Sequence, residues 1–485
     1  MAVQLDKVFI PPHATLKAVL QTIDDNSLGI ALVVDENNRL MGLVTDGDLR
    51  RAILNGNTLD SAVQKVMNAN PVTASSSTPR EQVISLMDSK IRHIPLLDND
   101  GKVSDLVSFG ELSKNIPWAV PYIGAAEEAE LTHSLRTSWV TMGPKVQKLE
   151  RNIADYVGVK HGIAVSNGTA ALDVALKLLG IGPGDEVIVP ALTYIATANA
   201  VLYQHATPVL ADIDEATFNI DPKEVEKKIT PRTKCVMAID YGGQSSDYER
   251  LVEITNKQNI ALIEDGAQSL GGQYRGRNLC SFGAISTVSF HAAKVITSVE
   301  GGMVLTNDQQ FADMARIIRN QGEDPKNKYH HVVLGHNYRM TDLHAGIGLA
   351  QFQKLDDILK KRSLIADYYT RELSRLDVNI GLPRVKTGNK HAWFFYSVRV
   401  EARDQVVKYL SEKGVDTRIA WPLPIHQQPL YQKYFMNERY PVAEQVAGSI
   451  LSLPLYYEMT EEELRYVVFH LKSVLKLFGK KHEVA

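Results

Sequence analysis

The most informative part of the sequence is Thr287-Val-Ser-Phe-His-Ala-Ala-Lys294-Val-Ile-Thr-Ser-Val-Glu-Gly-Gly302. An apolar, β-branched run is followed by a single lysine and then by a Gly-Gly pair, which is the pattern of a strand that ends in a turn. A lysine in this position can react with a carbonyl compound that binds beside it. An amine attacks a carbonyl only when deprotonated, and a lysine in a protected pocket next to another cation can be deprotonated near neutral pH.

Another apolar run, upstream, ends in an acid and an amide: Ile263-Glu-Asp265-Gly-Ala-Gln268. Together with Lys294, Asp265 suggests pyridoxal phosphate chemistry, in which a lysine forms a Schiff base and a carboxylate pairs with the pyridinium nitrogen. The cofactor's positive charge would favour the ionised form of Asp265, and Gln268 can donate to the phenolic oxygen. A lone Asp at a strand end is more often a turn former or helix cap, so the interpretation depends on the pair.

A phosphate site is predicted where Ser166-Asn-Gly168-Thr169-Ala-Ala-Leu172 follows a short strand and opens a helix. Glycine lets a phosphate approach closely, and a helix start offers free N–H groups and the positive end of a dipole. Ser289 can add a hydroxyl to the same phosphate. Tyr194 follows another strand end and can stack on a flat ring. Taken alone, the helix start could be a plain cap and Tyr194 a core residue.

Strands and helices alternate from Gly124 onward, which predicts an α/β domain with a mainly parallel sheet. We expect a linker at 116–125, a large cofactor-binding domain at 126–375 and a small C-terminal domain at 376–485. Leu349, Phe352, Leu355 and Leu359 recur at helical spacing and predict one long amphipathic helix. The predicted strands of the large domain lie at 186–190, 235–239, 260–263, 286–290 and 303–306.

The N-terminal region contains a weak internal repeat, with copies at 1–57 and 58–115. Each copy is predicted as helix, strand, turn, strand, helix. This resembles a tandem pair of CBS motifs, a module that commonly binds adenine nucleotides. In that family a hydroxyl and an acid hold the ribose, and the matching pairs are Thr45 with Asp48 and Ser108 with Glu111. Copy two departs from the pattern through Asp105 and Glu111, so a module that only packs and dimerises stays an equal alternative.

The span from about Pro121 to Leu475 resembles the DegT/DnrJ/EryC1/StrS family of PLP-dependent aminotransferases of nucleotide-linked sugars. The matching elements follow the family's order: Ser138-Trp-Val-Thr-Met-Gly-Pro144, Ser166-Asn-Gly-Thr-Ala-Ala-Leu172, Glu264-Asp-Gly-Ala-Gln268, Ser289-Phe-His-Ala-Ala-Lys294, Glu300-Gly-Gly302, Gly335-His-Asn-Tyr-Arg-Met-Thr-Asp342 and Leu451-Ser-Leu-Pro-Leu455. The resemblance implies PLP-transferase fold type I with a small α+β C-terminal domain, preceded by the CBS pair.

The resemblance also implies a role for each matching residue. Lys294 resembles the catalytic Schiff-base lysine, and the residues similar to other cofactor ligands are Asp265 (also catalytic), Gln268, Tyr194, Gly168, Thr169 and Ser289. Asn337 resembles a residue that reaches the phosphate from the neighbouring subunit, which implies a homodimer or larger assembly. Some members carry histidine instead of the lysine and act as dehydratases, and Lys294 argues against that activity.

Within the family, the run from Arg319 to Met340 is most similar to perosamine-synthase-like enzymes. These aminate C4 of a GDP-linked 4-keto-6-deoxy sugar for surface polysaccharide or glycan biosynthesis, usually with glutamate as donor. The departures are Gly266, where many members have alanine, and His336, which can signal different sugar contacts. The alternative function is a nucleotide-sensing regulatory protein in which the aminotransferase fold is a dimer scaffold. A third interpretation has the CBS pair regulating the enzyme.

Composition sets broad limits on these interpretations. A chain of 485 residues, with 44% hydrophobic and 22% charged residues, is expected to form several globular domains. A net charge of −3 gives no argument for nucleic acid or membrane partners. The two cysteines have no metal-ligand spacing, so no metal site is expected and a reducing cytoplasm is the default.

Overall fold

A computed structural model of the chain describes residues 5–26, 28–79, 82–83, 86–87, 91, 93–108 and 115–478. The chain divides into two compact units, Met1–Ile116 and Pro117–Ala485. In the first unit, two three-stranded sheets have the same topology, a parallel pair followed by an antiparallel hairpin strand. This shared topology is the structural form of the internal repeat.

The first sheet contains β1 (Phe9–Ile10), β2 (Ile30–Val34) and β3 (Leu40–Thr45), with helices α1 (Leu16–Asn26) and α2 (Asp46–Leu54) and 3-10 turns at Leu5–Lys7 and Val63–Lys65. The second contains β4 (Ala74–Ser75), β5 (His93–Leu97) and β6 (Val103–Ser108). Ile30 and Leu32 of the first sheet share a buried cluster with Val103 and Leu106 of the second. The two copies therefore pack as one body.

The second unit is built on a seven-stranded sheet with the order β7-β15-β14-β11-β10-β8-β9. Only β15 runs antiparallel to its neighbours, so the sheet is mainly parallel, as expected. Its strands are β7 (His161–Val165), β8 (Glu186–Pro190), β9 (Thr207–Ala211), β10 (Thr233–Ile239), β11 (Ala261–Asp265), β14 (Ile285–Ser289) and β15 (Gly302–Thr306), and a separate hairpin joins β12 (Gln273–Tyr274) to β13 (Arg277–Asn278).

Helices of this unit connect the strands and pack with them into two apolar core clusters. They are α3 (Ala125–Arg136), α4 (Pro144–Val157), α5 (Gly168–Leu178), α6 (Ile195–Tyr203), α7 (Pro222–Lys228), α8 (Tyr248–Gln258), α9 (Gln309–Arg319), α10 (Asp342–Gln353) and α11 (Leu355–Leu373), with a 3-10 turn at Tyr241–Gly243. Because parallel strands need crossover connections, their carboxyl ends lie at one edge of the sheet, where the intervening loops meet.

The C-terminal part adds a small antiparallel sheet with the order β16-β17-β18. Its strands are β16 (Ile380–Gly381), β17 (Tyr396–Val400) and β18 (Ile450–Leu453), its helices are α12 (Arg403–Glu412), α13 (Pro441–Ser449) and α14 (Glu461–Phe478), and a 3-10 turn lies at Ile425–Gln427. The sequence predicted a small α+β domain here.

Among the helices in the described part of the chain, none combines the length and the apolar character that a membrane span requires.

One predicted element is wrong in its extent. The apolar stripe Leu349, Phe352, Leu355 and Leu359 lies on two helices, α10 and α11, that meet at Lys354 instead of on one long helix. Lys354 has φ −97° and ψ −2°, and its ammonium is held by the buried Glu127 at 2.7 Å. Helical spacing continues across this junction because Lys354 stays near helical geometry, which is why the sequence did not reveal the break.

Candidate active site

Lys294 lies just beyond β14, in a turn where its N–H donates to the carbonyl of His291 at 2.9 Å. Its ammonium lies 4.5 Å from the centre of the Phe394 ring, a cation–π distance. Burial lowers the pKa of Lys294 to about 8, and the negative charge of Asp265 acts in the opposite direction. The unprotonated form that a nucleophile needs is therefore more accessible near neutral pH than in an ordinary lysine.

Asp265 ends β11 next to β14, where it stands opposite Thr287 in the parallel register. The carboxylate is 2% exposed and accepts hydrogen bonds from the Thr197 hydroxyl at 3.0 Å and the Ala267 N–H at 3.2 Å. Burial raises the pKa of Asp265, because these two hydrogen bonds and the charge of Lys294 only partly offset desolvation. A cationic ligand group beside Asp265 would favour its ionised form.

Gln268 is buried and its amide is oriented by the backbone. The Gly242 N–H donates to its Oε1 at 2.7 Å, so the other end of the amide carries two N–H donors for a further acceptor. The Gly242 and Gly243 backbone has φ values of 63° and 96°, which only glycine adopts without strain. The turn at Gly242 thus fixes the direction in which Gln268 can donate.

The predicted phosphate cradle is formed by the start of α5 and the end of β14. Asn167 caps the helix by accepting from the Ala170 N–H at 2.8 Å. A Cβ added to Gly168 would lie 2.9 Å from the Cβ of Ser289 and 3.2 Å from its hydroxyl. Only glycine therefore lets the helix N-terminus come this close to Ser289. N–H groups at a helix start beside a hydroxyl suit a phosphate.

Tyr194 and Asn337 are both at the surface of the single chain. Tyr194 is 56% exposed and precedes α6, the helix that carries Thr197. Asn337 is exposed, and it forms a β-bridge with Asn320. Neither side chain is buried in the core, so the alternative of a core tyrosine does not apply to Tyr194. The stacking role of Tyr194 and the intersubunit role of Asn337 stay predictions.

The residues brought together here fit pyridoxal phosphate by their chemistry. The site offers an amine of lowered pKa at Lys294 and a buried carboxylate at Asp265 that favours a cationic partner. It also offers an amide donor at Gln268 and a cradle at Gly168 that a Cβ would fill. These match the aldehyde, pyridinium nitrogen, phenolic oxygen and phosphate of the cofactor.

Two further side chains contact site residues and were not singled out from the sequence. Thr197 donates to Asp265, and its hydroxyl lies 2.8 Å from that of Thr193. The two threonines stand four residues apart after one strand end, which is a signal the sequence does contain. Phe394, beside Lys294, belongs to the segment just before β17. Its contact joins parts of the chain far apart in sequence and leaves no local signal.

In the CBS unit, Thr45 and Asp48 form a capping box at the start of α2. The Thr45 hydroxyl donates to Asp48 Oδ2 at 2.7 Å, and Asp48 also pairs with Arg51 at 2.5 Å. Ser108 ends β6, and Glu111 lies outside the described residues. A ribose-binding role for these four residues stays a prediction.

Among the described residues, no cluster of three or more His, Cys, Asp or Glu side chains could hold a metal ion.

Comparisons with known proteins reveal two matching families and several similar enzymes. Residues 121–472 match the DegT/DnrJ/EryC1/StrS aminotransferase family, and residues 4–55 and 63–117 match the CBS domain. A GDP-perosamine synthase of Caulobacter vibrioides is 40% identical over 363 residues, which cover 74% of this chain and 97% of that protein. A UDP-2-acetamido-2-deoxy-3-oxo-D-glucuronate aminotransferase of Pseudomonas aeruginosa is 36% identical over 330 residues, 68% of this chain and 90% of that protein.

A solved structure extends the likeness to the fold. Spr1654 from Streptococcus pneumoniae, in its PLP form, matches 75% of this chain and 99% of its own with a TM-score of 0.72 and 28% identity.

Proposed function

The chain belongs to the DegT/DnrJ/EryC1/StrS aminotransferase family, and we propose that it transfers an amino group from glutamate to C4 of a GDP-linked 4-keto-6-deoxy sugar. The family makes it a PLP-dependent aminotransferase of nucleotide sugars. The choice of sugar, nucleotide and donor is our proposal. We further propose that it works in the cytoplasm as a homodimer and supplies an amino sugar for a surface polysaccharide.

The observation that carries the proposal is the likeness to GDP-perosamine synthases across the whole length of those enzymes. The Caulobacter enzyme is 40% identical with 97% of its length covered, and an Escherichia coli O157:H7 enzyme of the same name is 36% identical with 97% covered. The UDP-sugar aminotransferase has the same 36% identity over a smaller share of its length, 90%. These figures favour a GDP-linked acceptor and make a UDP-linked one the rival.

Pyridoxal phosphate, when bound, supplies an electron-accepting ring that stabilises negative charge at the carbon next to the transferred nitrogen. The chain's residues would hold this ring and move the protons. The N–H groups of Gly168 and Thr169, with the Ser289 hydroxyl, would bind the phosphate, and Asp265 would pair with the pyridinium nitrogen. Lys294 Nζ then moves the proton at the α-carbon of glutamate and, in the second half of the reaction, at C4 of the sugar.

The test is a panel assay in which the purified protein is incubated with glutamate and with GDP-, UDP- or dTDP-linked 4-keto-6-deoxy sugars. Mass spectrometry should show replacement of the ketone oxygen by an amine on the GDP-linked sugar. Turnover of the UDP- or dTDP-linked sugar alone would contradict the proposal. Protein without visible cofactor absorbance but with clear adenine-nucleotide binding would instead favour the regulatory alternative.

Lys294→Ala is the matching variant for this assay. Loss of the nucleophile and proton carrier should remove the visible absorbance of lysine-bound cofactor and lower turnover by at least about 10²–10⁴-fold. Lys326→Ala, which removes an exposed lysine, is the control and should behave like the unmodified protein. Turnover retained by the Lys294 variant would rule out the assigned role.

A further inference from the structure

The segment 336–338 is hydrogen-bonded to the predicted phosphate cradle of the same chain. The Ser166 N–H, two residues before Gly168, donates to the carbonyl of Tyr338 at 2.8 Å. On its other side the Tyr338 N–H donates to the carbonyl of Arg319 at 3.0 Å. The segment therefore lies between the start of the cradle and the end of α9, and backbone hydrogen bonds fix it at both places.

Side chains make a second connection, between His336 and the cradle helix α5. Asp173, on α5, is 3% exposed, and its Oδ1 accepts from Gln204 Nε2 at 2.5 Å. Its Oδ2 lies 3.6 Å from His336 Nε2. Neither of these two atoms has a hydrogen-bond partner within the described part of the chain. The distance is slightly beyond hydrogen-bond range, so the two atoms face each other as a buried polar pair.

The ring of His336 is held in this orientation by Tyr338. The two rings stack with their centres 4.6 Å apart and their planes 14° from parallel. Burial, together with the nearby Asp173 carboxylate, raises the pKa of Tyr338 to about 12, so its hydroxyl stays protonated at neutral pH. His336, Tyr338 and Asp173 thus form one contact group next to the cradle.

We propose that His336 is a positioning residue: by facing Asp173 and stacking on Tyr338, it holds helix α5 in place so that the N–H groups of Gly168 and Thr169 are aligned for the cofactor phosphate. The close approach of Gly168 to Ser289, where a Cβ would lie at 2.9 Å, means that a small shift of α5 changes the spacing of the phosphate donors. This inference rests on the cofactor-binding part of the proposed function and not on which sugar is aminated.

Two substitutions of His336 separate its two contacts. His336→Phe keeps a ring that can stack on Tyr338 and removes Nε2. His336→Gln loses the ring but keeps an amide nitrogen at nearly the same reach toward Asp173. Asp173→Asn removes the charge from the other side of the pair and keeps an oxygen for Gln204. His330→Phe is the matched control, because His330 is an exposed histidine of the same loop.

The measurement is the dissociation constant of pyridoxal phosphate for the full-length protein, from titration of the visible absorbance. We expect about tenfold weaker binding for His336→Phe and for Asp173→Asn, and a change of less than about threefold for His336→Gln. The double variant His336→Phe/Asp173→Asn should lose clearly less affinity than the sum of the two single losses, because both substitutions remove the contact between His336 and Asp173. His330→Phe should bind like the unmodified protein.

Unchanged affinity in His336→Phe, equal losses in the Phe and Gln variants, or additive losses in the double variant would each overturn the inference. If His336→Phe does not fold, as judged by its thermal unfolding, the comparison of Asp173→Asn with His336→Gln decides in the same way. Failure of the sugar panel is a separate result, because cofactor affinity is measured without any sugar.

Discussion

Lys294 carries an amine whose protonation should set the pH at which the chain captures its cofactor. Burial lowers the pKa of this amine from the ordinary lysine value to about 8, so a larger fraction of it is unprotonated near neutral pH than in an exposed lysine. The rate of cofactor capture should rise as the pH increases through about 8 and level off above it. Stopped-flow absorbance from about pH 6 to about pH 10 measures this. A rate still rising at the upper end would indicate an ordinary lysine.

The Asp265 carboxylate accepts one hydrogen bond from a side chain, the hydroxyl of Thr197, and one from the backbone, the N–H of Ala267. The Thr197 hydroxyl is buried and lies 3.0 Å from Asp265 Oδ2. Thr197→Val keeps the shape and removes this bond, so the ionised carboxylate loses support and its pKa rises further. We expect the affinity for pyridoxal phosphate to fall about tenfold, since a hydrogen bond to a charged group contributes about 1.5–3 kcal/mol.

Thr193→Val is the graded control for this variant. Thr193 contacts the Thr197 hydroxyl at 2.8 Å, one step farther from the carboxylate, and its loss should therefore weaken cofactor binding by clearly less. Equal losses from the two valine variants would mean that packing, and not the bond to Asp265, is responsible. Absorbance titration of both proteins gives the comparison.

At the scale of elements, Asp342 joins the starts of two helices. It is fully buried at the beginning of α10, where Oδ1 accepts from the Gly143 and Val146 N–H groups at 2.9 and 3.0 Å. Oδ2 accepts from the Lys145 N–H at 3.2 Å. The carboxylate thus satisfies the free N–H groups that begin α4 and interacts favourably with its dipole.

Asp342→Asn should lower the free energy of unfolding by about 2 kcal/mol, because one carboxylate oxygen becomes an NH₂ group facing N–H donors. Urea unfolding followed by fluorescence measures the change. Asp313→Asn is the control: Asp313 is 61% exposed and pairs with Arg316 on the surface of α9, so its loss should have little effect. Similar losses in both variants would exclude the capping role of Asp342.

Most elements were predictable from the sequence, since strands buried on both faces of a parallel sheet are short, continuous apolar runs. The prediction at 186–190 matches β8, and those at 235–239 and 260–263 differ from β10 and β11 by at most two residues at each end. The edge strand β9 was missed, because its first residue, Thr207, is exposed and Pro208 follows it. Proline lowers strand propensity, although edge strands tolerate it.

The candidate site could be predicted only in part. Lys294, Asp265 and Gly168 stand at strand ends or helix starts, which are the places where sequence alone predicts ligand-binding groups in an α/β sheet. The contacts that hold these residues in place join parts of the chain that are far apart in sequence. Thr197 and Asp265, for example, are 68 residues apart. No periodicity links such pairs, so only the folded chain reveals them.

The whole molecule combines a CBS pair with an aminotransferase. Whether nucleotide binding at the CBS pair changes the rate of the aminotransferase has to be tested on the full-length chain. The Thr45 and Asp48 side chains hold each other and the start of α2 at the predicted ribose site. A nucleotide that used these groups would exchange their mutual hydrogen bonds for bonds to its ribose hydroxyls. Binding would then alter the start of α2, which is a local change that a regulated enzyme can transmit.

We predict that AMP or ATP binds the full-length protein and changes the rate of its reaction with glutamate by about fivefold or more, the lower range of measured couplings. Asp48→Ala should remove both nucleotide binding and the rate effect, whereas Asp60→Ala, at an exposed acid outside the predicted ribose sites, should keep both. Calorimetry and single-turnover absorbance provide the two measurements. Rates that stay constant at saturating AMP and ATP would contradict regulation, and the absence of nucleotide binding as well would leave the CBS pair as a packing and dimerisation module.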